Sequence, residues 1–257
     1  MIVIHPTAVV EDGASLGEGT EIGPFCHIGP NVELGERCRL LGHVTIAGAT
    51  RIDADNSFYP YCSIGHRSQD LKYAGEPTHL EIGSNNSFRE FCTVNRGTLP
   101  GTKTTVGNHG NFLAYSHIAH DSTVGDHVIF SNNGTIAGHV LVEDYAVIGG
   151  LSGVHQFCRI GRHAIVGGCT KIVQDVPPYM IADGNPAEIR GVNQVGLERR
   201  GFPAADVRSL REAYKFLYRS NLNVKQACEQ ILAEIPPSDV QKHLLSFIEA
   251  SQRGIVR

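Results

Sequence analysis

The chain has 257 residues, a formal net charge of −4, 29 glycines, no tryptophan and 7% aromatic residues. No apolar stretch approaches the roughly 20 residues of a membrane span, and the seven cysteines contain no CxxC pair, which argues against a zinc ribbon. The N-terminus lacks the basic and apolar segments of a signal peptide. We therefore expect a soluble, cytoplasmic protein with a thin, regular core of medium-sized aliphatic side chains.

The first element is a repeat of six residues that begins at Ile4. Of the 29 positions taken at every sixth residue up to Ile172, all are aliphatic or phenylalanine except Asp70, Glu76 and Pro100. Neither a helical period of 3.6 nor a strand period of 2 keeps this phase for so long. A second register, two positions earlier, holds mostly small residues and five of the cysteines, which indicates core packing for those cysteines. The repeat predicts a parallel β-helix with three hexads in each triangular coil.

Two segments interrupt the repeat without changing its phase. Residues 69–77 are polar and rich in turn-forming residues, and residues 96–102 form a second, shorter segment of this kind. Both are predicted to be loops that project from the prism. Loops on a rigid scaffold are common places for functional residues.

The repeat ends at residues 175–178, and residues 184–187 predict a turn. From Pro203 the spacing of apolar residues becomes helical, and we predict helices over residues 204–220, 224–234 and 238–251. We divide the chain into a β-helix domain of residues 1–189 and an α-helical domain of residues 190–257. The second domain holds 11 Lys and Arg against 7 Asp and Glu, a basic surplus that suits an acidic partner.

Histidines and a carboxylate cluster in the later hexads. The segment 117–121 contains His117, His120 and Asp121. His139 follows Asp121 by 18 residues, and His155 comes about one coil after His139. A histidine oriented by a carboxylate is suited to general-base catalysis. The alternatives are solvated histidines on an outer face, or outward histidines that bind zinc between subunits.

An ordered set of motifs makes the chain resemble the UDP-N-acetylglucosamine O-acyltransferase family, which carries out the first step of lipid A synthesis. The motifs are DLKYAGEPT (70–78), HIAHD (117–121), AGHV (137–140), VHQF (154–157), QDVPPY (174–179), RRGF (199–202) and RGIVR (253–257). The resemblance implies a left-handed parallel β-helix with a C-terminal α-helical domain, and a homotrimer with its active sites between subunits.

The resemblance also implies roles for individual residues. His120 matches the general base, Asp121 its orienting neighbour, and the amide of Gly138 a donor to the thioester oxyanion. Gly168 matches the position that limits acyl-chain length, and a glycine there favours a longer 3-hydroxyacyl chain. The expected substrate-binding residues are Asp70, Lys72, His117, His139, His155, Gln156, Asn193, Arg199 and Arg200.

The implied reaction transfers a 3-hydroxyacyl chain from acyl carrier protein to the 3-hydroxyl of UDP-N-acetylglucosamine, without a cofactor or metal and without a nucleic-acid partner. Two departures concern the sugar: Asn95 stands where members often have histidine, and Val195 where well-known members have an acidic residue. The alternatives are N-acylation of a 3-amino UDP-sugar, the later N-acyltransfer enzyme of the pathway, a zinc β-helix hydratase, and a non-catalytic scaffold.

Overall fold

The structure, a computed structural model, describes all 257 residues as a three-sided prism of short strands followed by four helices. The strands are β1 (Val3–Ile4), β2 (Val9–Val10), β3 (Ser15–Leu16), β4 (Glu21–Ile22), β5 (His27–Ile28), β6 (Val32–Leu34), β7 (Arg39–Leu40), β8 (Thr45–Ile46), β9 (Ala49–Ile52), β10 (Ser57–Phe58), β11 (Ser63–His66), β12 (His79–Ile82), β13 (Ser87–Phe88), β14 (Thr93–Asn95), β15 (Lys103–Val106), β16 (Asn111–Phe112), β17 (His117–Ile118), β18 (Thr123–Val124), β19 (Ile129–Phe130), β20 (Thr135–Ile136), β21 (Leu141–Val142), β22 (Val147–Ile148), β23 (Gly153–Val154), β24 (Arg159–Ile160), β25 (Ile165–Val166), β26 (Lys171–Ile172), β27 (Met180–Asp183) and β28 (Glu188–Val192).

The strands form three sheets, one for each side of the prism. Sheet A has the order β1-β4-β7-β10-β13-β16-β19-β22-β25-β27-β28, sheet B has β2-β5-β8-β11-β14-β17-β20-β23-β26, and sheet C has β24-β21-β18-β15-β12-β9-β6-β3. All pairings are parallel except that of β27 with β28. The predicted β-helix is therefore confirmed, and the sixth-position residues are its inward-facing core.

The register explains why the hexad phase survives the two interruptions. Paired residues are normally 18 apart, as in Glu21 and Arg39. The separation becomes 30 between Ser57 and Ser87, and 24 between Ser87 and Asn111. The insertions are thus two hexads and one hexad long, and the three positions that break the repeat fall inside them.

Most corners of the prism place one residue in the left-handed backbone region, and the corners stack into three edges. The edge between sheets A and B carries Phe25, His43, Tyr61, Phe91, Tyr115, Asn133, Leu151 and Cys169. The edge between sheets B and C carries Asp121, His139 and Phe157. The edge between sheets C and A carries Arg37, Asp55, Asn85, His109, His127, Tyr145, His163 and Tyr179. We call these the A–B, B–C and C–A edges.

The helices follow the hairpin of β27 and β28. They are α1 (Gln194–Arg199), α2 (Ala204–Tyr218), α3 (Val224–Glu234) and α4 (Asp239–Glu249). The last three confirm the predicted helices within two residues at each end, and Ser238 is the N-cap of α4. The predicted boundary at residues 189 and 190 lies within β28 and stays a prediction. None of the helices has the length and apolarity that crossing a membrane requires.

Candidate active site

The B–C edge brings His120 and Asp121 together as a hydrogen-bonded pair. The Nδ1 atom of His120 lies 2.8 Å from Oδ2 of Asp121, and both side chains are largely buried. The hexad corner causes this arrangement, because Asp121 adopts the left-handed conformation with φ of 58° directly after His120. A carboxylate on Nδ1 leaves Nε2 of His120 as the free ring nitrogen, the arrangement of an oriented general base.

The carboxyl group of Asp121 is held in its ionised form. Burial by itself raises its pKa, but hydrogen bonds from Thr102, His120 and Thr98 outweigh burial and bring the pKa below the ordinary value. The Thr98 amide lies 3.3 Å from Oδ1. Asp121 therefore offers His120 a fixed negative charge at neutral pH.

Gly138 packs directly against the ring of His120. A Cβ atom on Gly138 would lie 2.3 Å from Cε1 and 2.5 Å from Nε2 of His120. No hydrogen bond within the chain uses the amide of Gly138, although its carbonyl accepts one from Phe157. The glycine thus puts a free backbone donor beside the free nitrogen of the base.

His139 lies one coil above Asp121, as the 18-residue spacing predicts. Its Nε2 atom is 3.8 Å from Oδ2 of Asp121, and its ring meets that of His120 edge to face with centroids 5.3 Å apart. Phe157 stacks on His139 at 4.7 Å. His155 and Gln156 precede Phe157 on the same edge and are exposed. The structure brings His139, His155 and Gln156 to the edge that carries the base.

His117 points outward from sheet B beside this edge. Its Nδ1 atom is 2.6 Å from the Thr93 hydroxyl, and burial followed by the charge of His120 lowers its pKa. His117 is therefore neutral at physiological pH. Farther along the outer face of sheet B, Gly153 has nothing within 4 Å of where a Cβ would be, so the surface there is open.

Asp70 and Lys72 lie in the longer insertion, which the prism holds firmly at its base. The Asp70 carboxylate accepts a hydrogen bond from the amide of Lys72 at 2.9 Å, and the Lys72 side chain is exposed. Arg96 anchors the insertion through the Tyr73 hydroxyl at 2.8 Å and the Thr78 hydroxyl at 3.1 Å. The insertion therefore presents a carboxylate and an ammonium group on a rigid base.

Three of the predicted substrate-binding residues lie away from the B–C edge: Asn193, Arg199 and Arg200. The Arg200 guanidinium stacks 4.2 Å from the ring centroid of Tyr145, so the arginine pair belongs to the C–A edge. Asn193 is buried, caps α1 through the Gly196 amide and donates to the His163 carbonyl at 2.9 Å. Within one chain these residues and His120 occupy different edges of the prism.

Gly168 lies at the third edge, just before Cys169. It is exposed, and a Cβ there would meet only the Gly150 carbonyl oxygen at 3.4 Å. A larger side chain would therefore fit and project outward. Gly168 and the base lie at opposite borders of the outer face of sheet B.

Comparisons with known proteins agree with this geometry. The profile described as "Udp N-acetylglucosamine O-acyltransferase; Domain 2" matches residues 175–256, and "Bacterial transferase hexapeptide (six repeats)" matches residues 13–48. The acyl-[acyl-carrier-protein]--UDP-N-acetylglucosamine O-acyltransferase of Verminephrobacter eiseniae (strain EF01-2) is 49% identical over 260 residues, with 99% of each chain covered.

The chain belongs to the UDP-N-acetylglucosamine O-acyltransferase family.

Solved structures of the family have the same fold. LpxA from Acinetobacter baumannii superposes with a TM-score of 0.96 at 44% identity, covering 99% of this chain and 100% of that one. The UDP-N-acetylglucosamine acyltransferase from Arabidopsis gives 0.87 at 36% identity, covering 99% and 100%. The left-handed parallel β-helix and the acyltransferase activity predicted from the motifs are confirmed.

Asn95, where family members often have histidine, lines a cavity of about 600 Å³ beneath the longer insertion. It is 5% exposed, and its Nδ2 donates to the Arg67 carbonyl at 3.1 Å. Its Oδ1 atom has no hydrogen-bond partner within the protein. The departure from the family pattern thus places a buried acceptor at the cavity wall. Val195, the other departure, is exposed on α1.

His120, Asp121 and His139 are the residues that could hold a metal, since one ligand atom from each lies within 4.8 Å of the others. The zinc hydratase alternative requires three outward histidines, and this group contains two. The third nearby imidazole, His117, is engaged with Thr93. Membership of the acyltransferase family favours the interpretation of these residues as a general base with its carboxylate partner over their interpretation as a metal site.

Sequence reasoning missed the part that the shorter insertion plays in the site. Thr98 and Thr102 contact Asp121, although they were predicted only to be part of a projecting loop. The position of this insertion in the sequence could have indicated the contact. The insertion is one hexad long and lies one coil before the HIAHD motif, at a corner of the same B–C edge.

Proposed function

We propose that this acyltransferase moves a 3-hydroxyacyl chain from acyl carrier protein to the 3-hydroxyl of UDP-N-acetylglucosamine, the first step of lipid A synthesis. The observation that carries the proposal is the His120 ring, bonded to Asp121 through Nδ1 and packed against Gly138 on its other side. The V. eiseniae relative is named for the same donor and acceptor.

The reaction follows from this arrangement. Nε2 of His120 takes the proton of the sugar 3-hydroxyl while that oxygen attacks the thioester carbonyl carbon. The amide of Gly138 stabilises the negative charge that develops on the carbonyl oxygen. When the carbon–sulfur bond breaks, protonated His120 returns the proton to the thiolate of the carrier. Asp121 keeps Nδ1 protonated and stabilises the imidazolium that forms between the two steps.

The other residues are assigned to binding. His117, His139, His155 and Gln156 surround the base and would contact the sugar and the acyl group. Asp70 and Lys72 would hold the glucosamine and its phosphates, while Asn193, Arg199 and Arg200 would bind the UDP end, because guanidinium groups bind phosphate oxygens bidentately. An acyl chain that lies along the outer face of sheet B would end at Gly168, whose missing side chain leaves room for a longer chain.

We also propose that the active enzyme is a homotrimer. Arg200 lies on the C–A edge and His120 on the B–C edge, so one chain presents these side chains on different edges of the prism. A neighbouring copy that places its C–A edge against this B–C edge would complete the site. The basic C-terminal domain would then attract the acidic acyl carrier protein.

The cytoplasm is the compartment that we propose for this reaction. All seven cysteines are free, and five of them are buried in the prism. Buried, unpaired thiols are typical of proteins that work in reducing compartments.

The proposal is tested by turnover of UDP-N-acetylglucosamine with carrier proteins that bear 3-hydroxyacyl chains of graded length. We expect the wild type to prefer the longer chains and His120→Ala to lose about 10²- to 10⁴-fold in kcat, the usual contribution of a general base. His5→Ala, in the first coil, is the matched control and keeps full activity. Full activity in His120→Ala would refute the mechanism.

A parallel assay with the 3-amino analogue of the sugar separates O-acylation from N-acylation. We expect the hydroxyl substrate to react with the higher kcat/KM. A preference for the amine would overturn the O-acyltransfer proposal. Asn95 has a buried acceptor without a partner, so Asn95→His would then be the first substitution to make.

A further inference from the structure

Within the shorter insertion, residues 97–102 form a tight turn around one hydroxyl group. Oγ1 of Thr102 accepts hydrogen bonds from the amides of Thr98 and Leu99, both at 3.1 Å. A hydroxyl has two lone pairs and one proton. Because two amides occupy the lone pairs, the proton is directed away from the turn.

The turn reaches Asp121 through the Thr98 amide. This amide donates to the Thr102 hydroxyl at 3.1 Å and lies 3.3 Å from Oδ1 of the carboxylate, while Oδ2 faces His120 at 2.8 Å. The Asp121 amide is fixed separately by the Thr104 hydroxyl at 2.8 Å. The turn therefore holds one oxygen of the carboxylate and leaves the other to the histidine.

The turn is closely packed and is hydrogen-bonded to the longer insertion. A Cβ on Gly97 would lie 2.4 Å from the Thr102 Oγ1 atom, so the backbone is in close contact with the hydroxyl. The Thr98 hydroxyl is 2.7 Å from that of Ser68, in a buried pair. Ser68 in turn accepts from the Asp70 amide at 3.1 Å. A continuous chain of hydrogen bonds thus connects the longer insertion to the catalytic pair.

We propose that Thr102 is a positioning residue for catalysis: its hydroxyl holds the turn whose Thr98 amide orients the Asp121 carboxylate, and that carboxylate fixes the tautomer of His120. The inference rests on the proposed general-base function. Thr102 itself touches no reacting atom, and it acts through Asp121.

The pH dependence of the effect has a definite sign. The titratable groups that face Asp121 are His120 beside it and His139 one coil above, and the turn contributes only hydroxyls and amides. Loss of the Thr102 hydroxyl raises the pKa of Asp121, because Thr102 and the Thr98 amide that it holds both favour the ionised carboxylate. The variant carboxyl then takes up a proton at a higher pH than the wild-type carboxyl, so the activity gap widens as pH falls.

The test compares Thr102→Val with Thr102→Ser, and uses Thr105→Val as the matched control, since the Thr105 side chain faces outward from sheet C at β15. We expect Thr102→Val to lower kcat by about tenfold at pH 8, with KM for the nucleotide sugar unchanged, and to lose more at pH 5.5. Thr102→Ser keeps the hydroxyl that accepts from the Thr98 and Leu99 amides, so it retains wild-type kcat. Thr105→Val matches the wild type at every pH.

Two outcomes would overturn the proposal: unchanged kcat in Thr102→Val, or a pH-independent loss that Thr102→Ser shares. If Thr102→Val does not fold, as judged by its melting transition, Thr102→Ala is compared with Thr102→Ser in the same assay. Wild-type protein without turnover, or fully active His120→Ala, would instead refute the proposed function. If the wild type is active and His120→Ala is not, a negative result for the Thr102 variants refutes only the role of Thr102.

Discussion

Gly138 lies so close to the ring of His120 that no side chain fits between them. The sequence assigned this residue to the oxyanion hole by resemblance, and the structure adds a second reason for a glycine here. The ring of His120, the proposed base, lies against the backbone of the following coil at Gly138. A side chain on Gly138 would push the ring away from both Asp121 and the backbone amide.

We therefore expect Gly138→Ala to lose about 10²-fold in kcat, the order that a 1 Å misplacement of a catalytic group can cost. The fold is retained, because the clash involves one side chain and Gly138 is outside the left-handed region. Steady-state kinetics and a thermal melt measure the two effects. Gly191→Ala is the control, since nothing lies within 4 Å of its added Cβ. An unimpaired Gly138→Ala enzyme would contradict the packing argument.

The C–A edge shows how one element connects the prism to the helical domain. The rings of His127, Tyr145 and His163 stack at 4.6 and 4.7 Å, and the column continues to Tyr179, whose hydroxyl is 2.9 Å from Nδ1 of His243 on α4. Burial, with the charges of Arg200 and Arg162, lowers the pKa of His163 to about 4. His163 is therefore neutral in the folded protein at physiological pH.

This column makes stability sensitive to acid. The unfolded chain protonates His163 near its ordinary pKa of about 6.5, and the folded chain only near 4. The unfolded state thus binds more protons between these values, and the free energy of unfolding falls as pH drops from 6.5 to 4, by up to about 3 kcal/mol. Above pH 6.5 this contribution to stability is fully present.

His163→Phe removes the titration and keeps a ring at the corner, a position where Phe25, Phe91 and Phe157 adopt the same left-handed conformation. We expect its unfolding free energy to depend less on pH between 6.5 and 4 than that of the wild type. Urea unfolding at a series of pH values measures the difference. His109→Phe is the control, because His109 is exposed on the same edge. Identical pH slopes for wild type and His163→Phe would refute the assignment.

In the molecule as a whole, the predicted site residues lie on two edges of the prism. This arrangement can be tested by mixing subunits. His120→Ala and Arg199→Ala should each have little activity alone. In mixed trimers, about a quarter of the sites pair an intact His120 from one chain with an intact Arg199 from another. Co-refolded mixtures should therefore regain activity that neither parent has.

Sedimentation of the wild type supplies the matching measurement, with a trimer as the expected species. Mixing each variant with itself is the control for refolding. Mixed trimers that form but stay inactive would show that each chain supplies both residues to its own site, and a monomeric, fully active wild type would exclude the shared site altogether.

The sequence by itself determined the β-helix, because its period of six is a local property that each hexad repeats. The same period confined Asp70, Glu76 and Pro100 to insertions, explained the buried cysteines, and put Asp121 one coil below His139. Helices α2 to α4 were also readable from their apolar spacing. Helix α1 was not, because it has six residues and depends on the Asn193 cap, which itself is held by the His163 carbonyl.

Only the tertiary structure decided which side chains meet across coils and edges. The contact of Thr98 and Thr102 with Asp121, the packing of Gly138 on His120, and the placement of Arg200 on Tyr145 join residues 18 to 55 positions apart. A repeat specifies the distance between coils but does not specify where an insertion folds back or which edge a terminal helix covers. Those contacts depend on the shapes and hydrogen-bonding groups of particular side chains, which have no period to read.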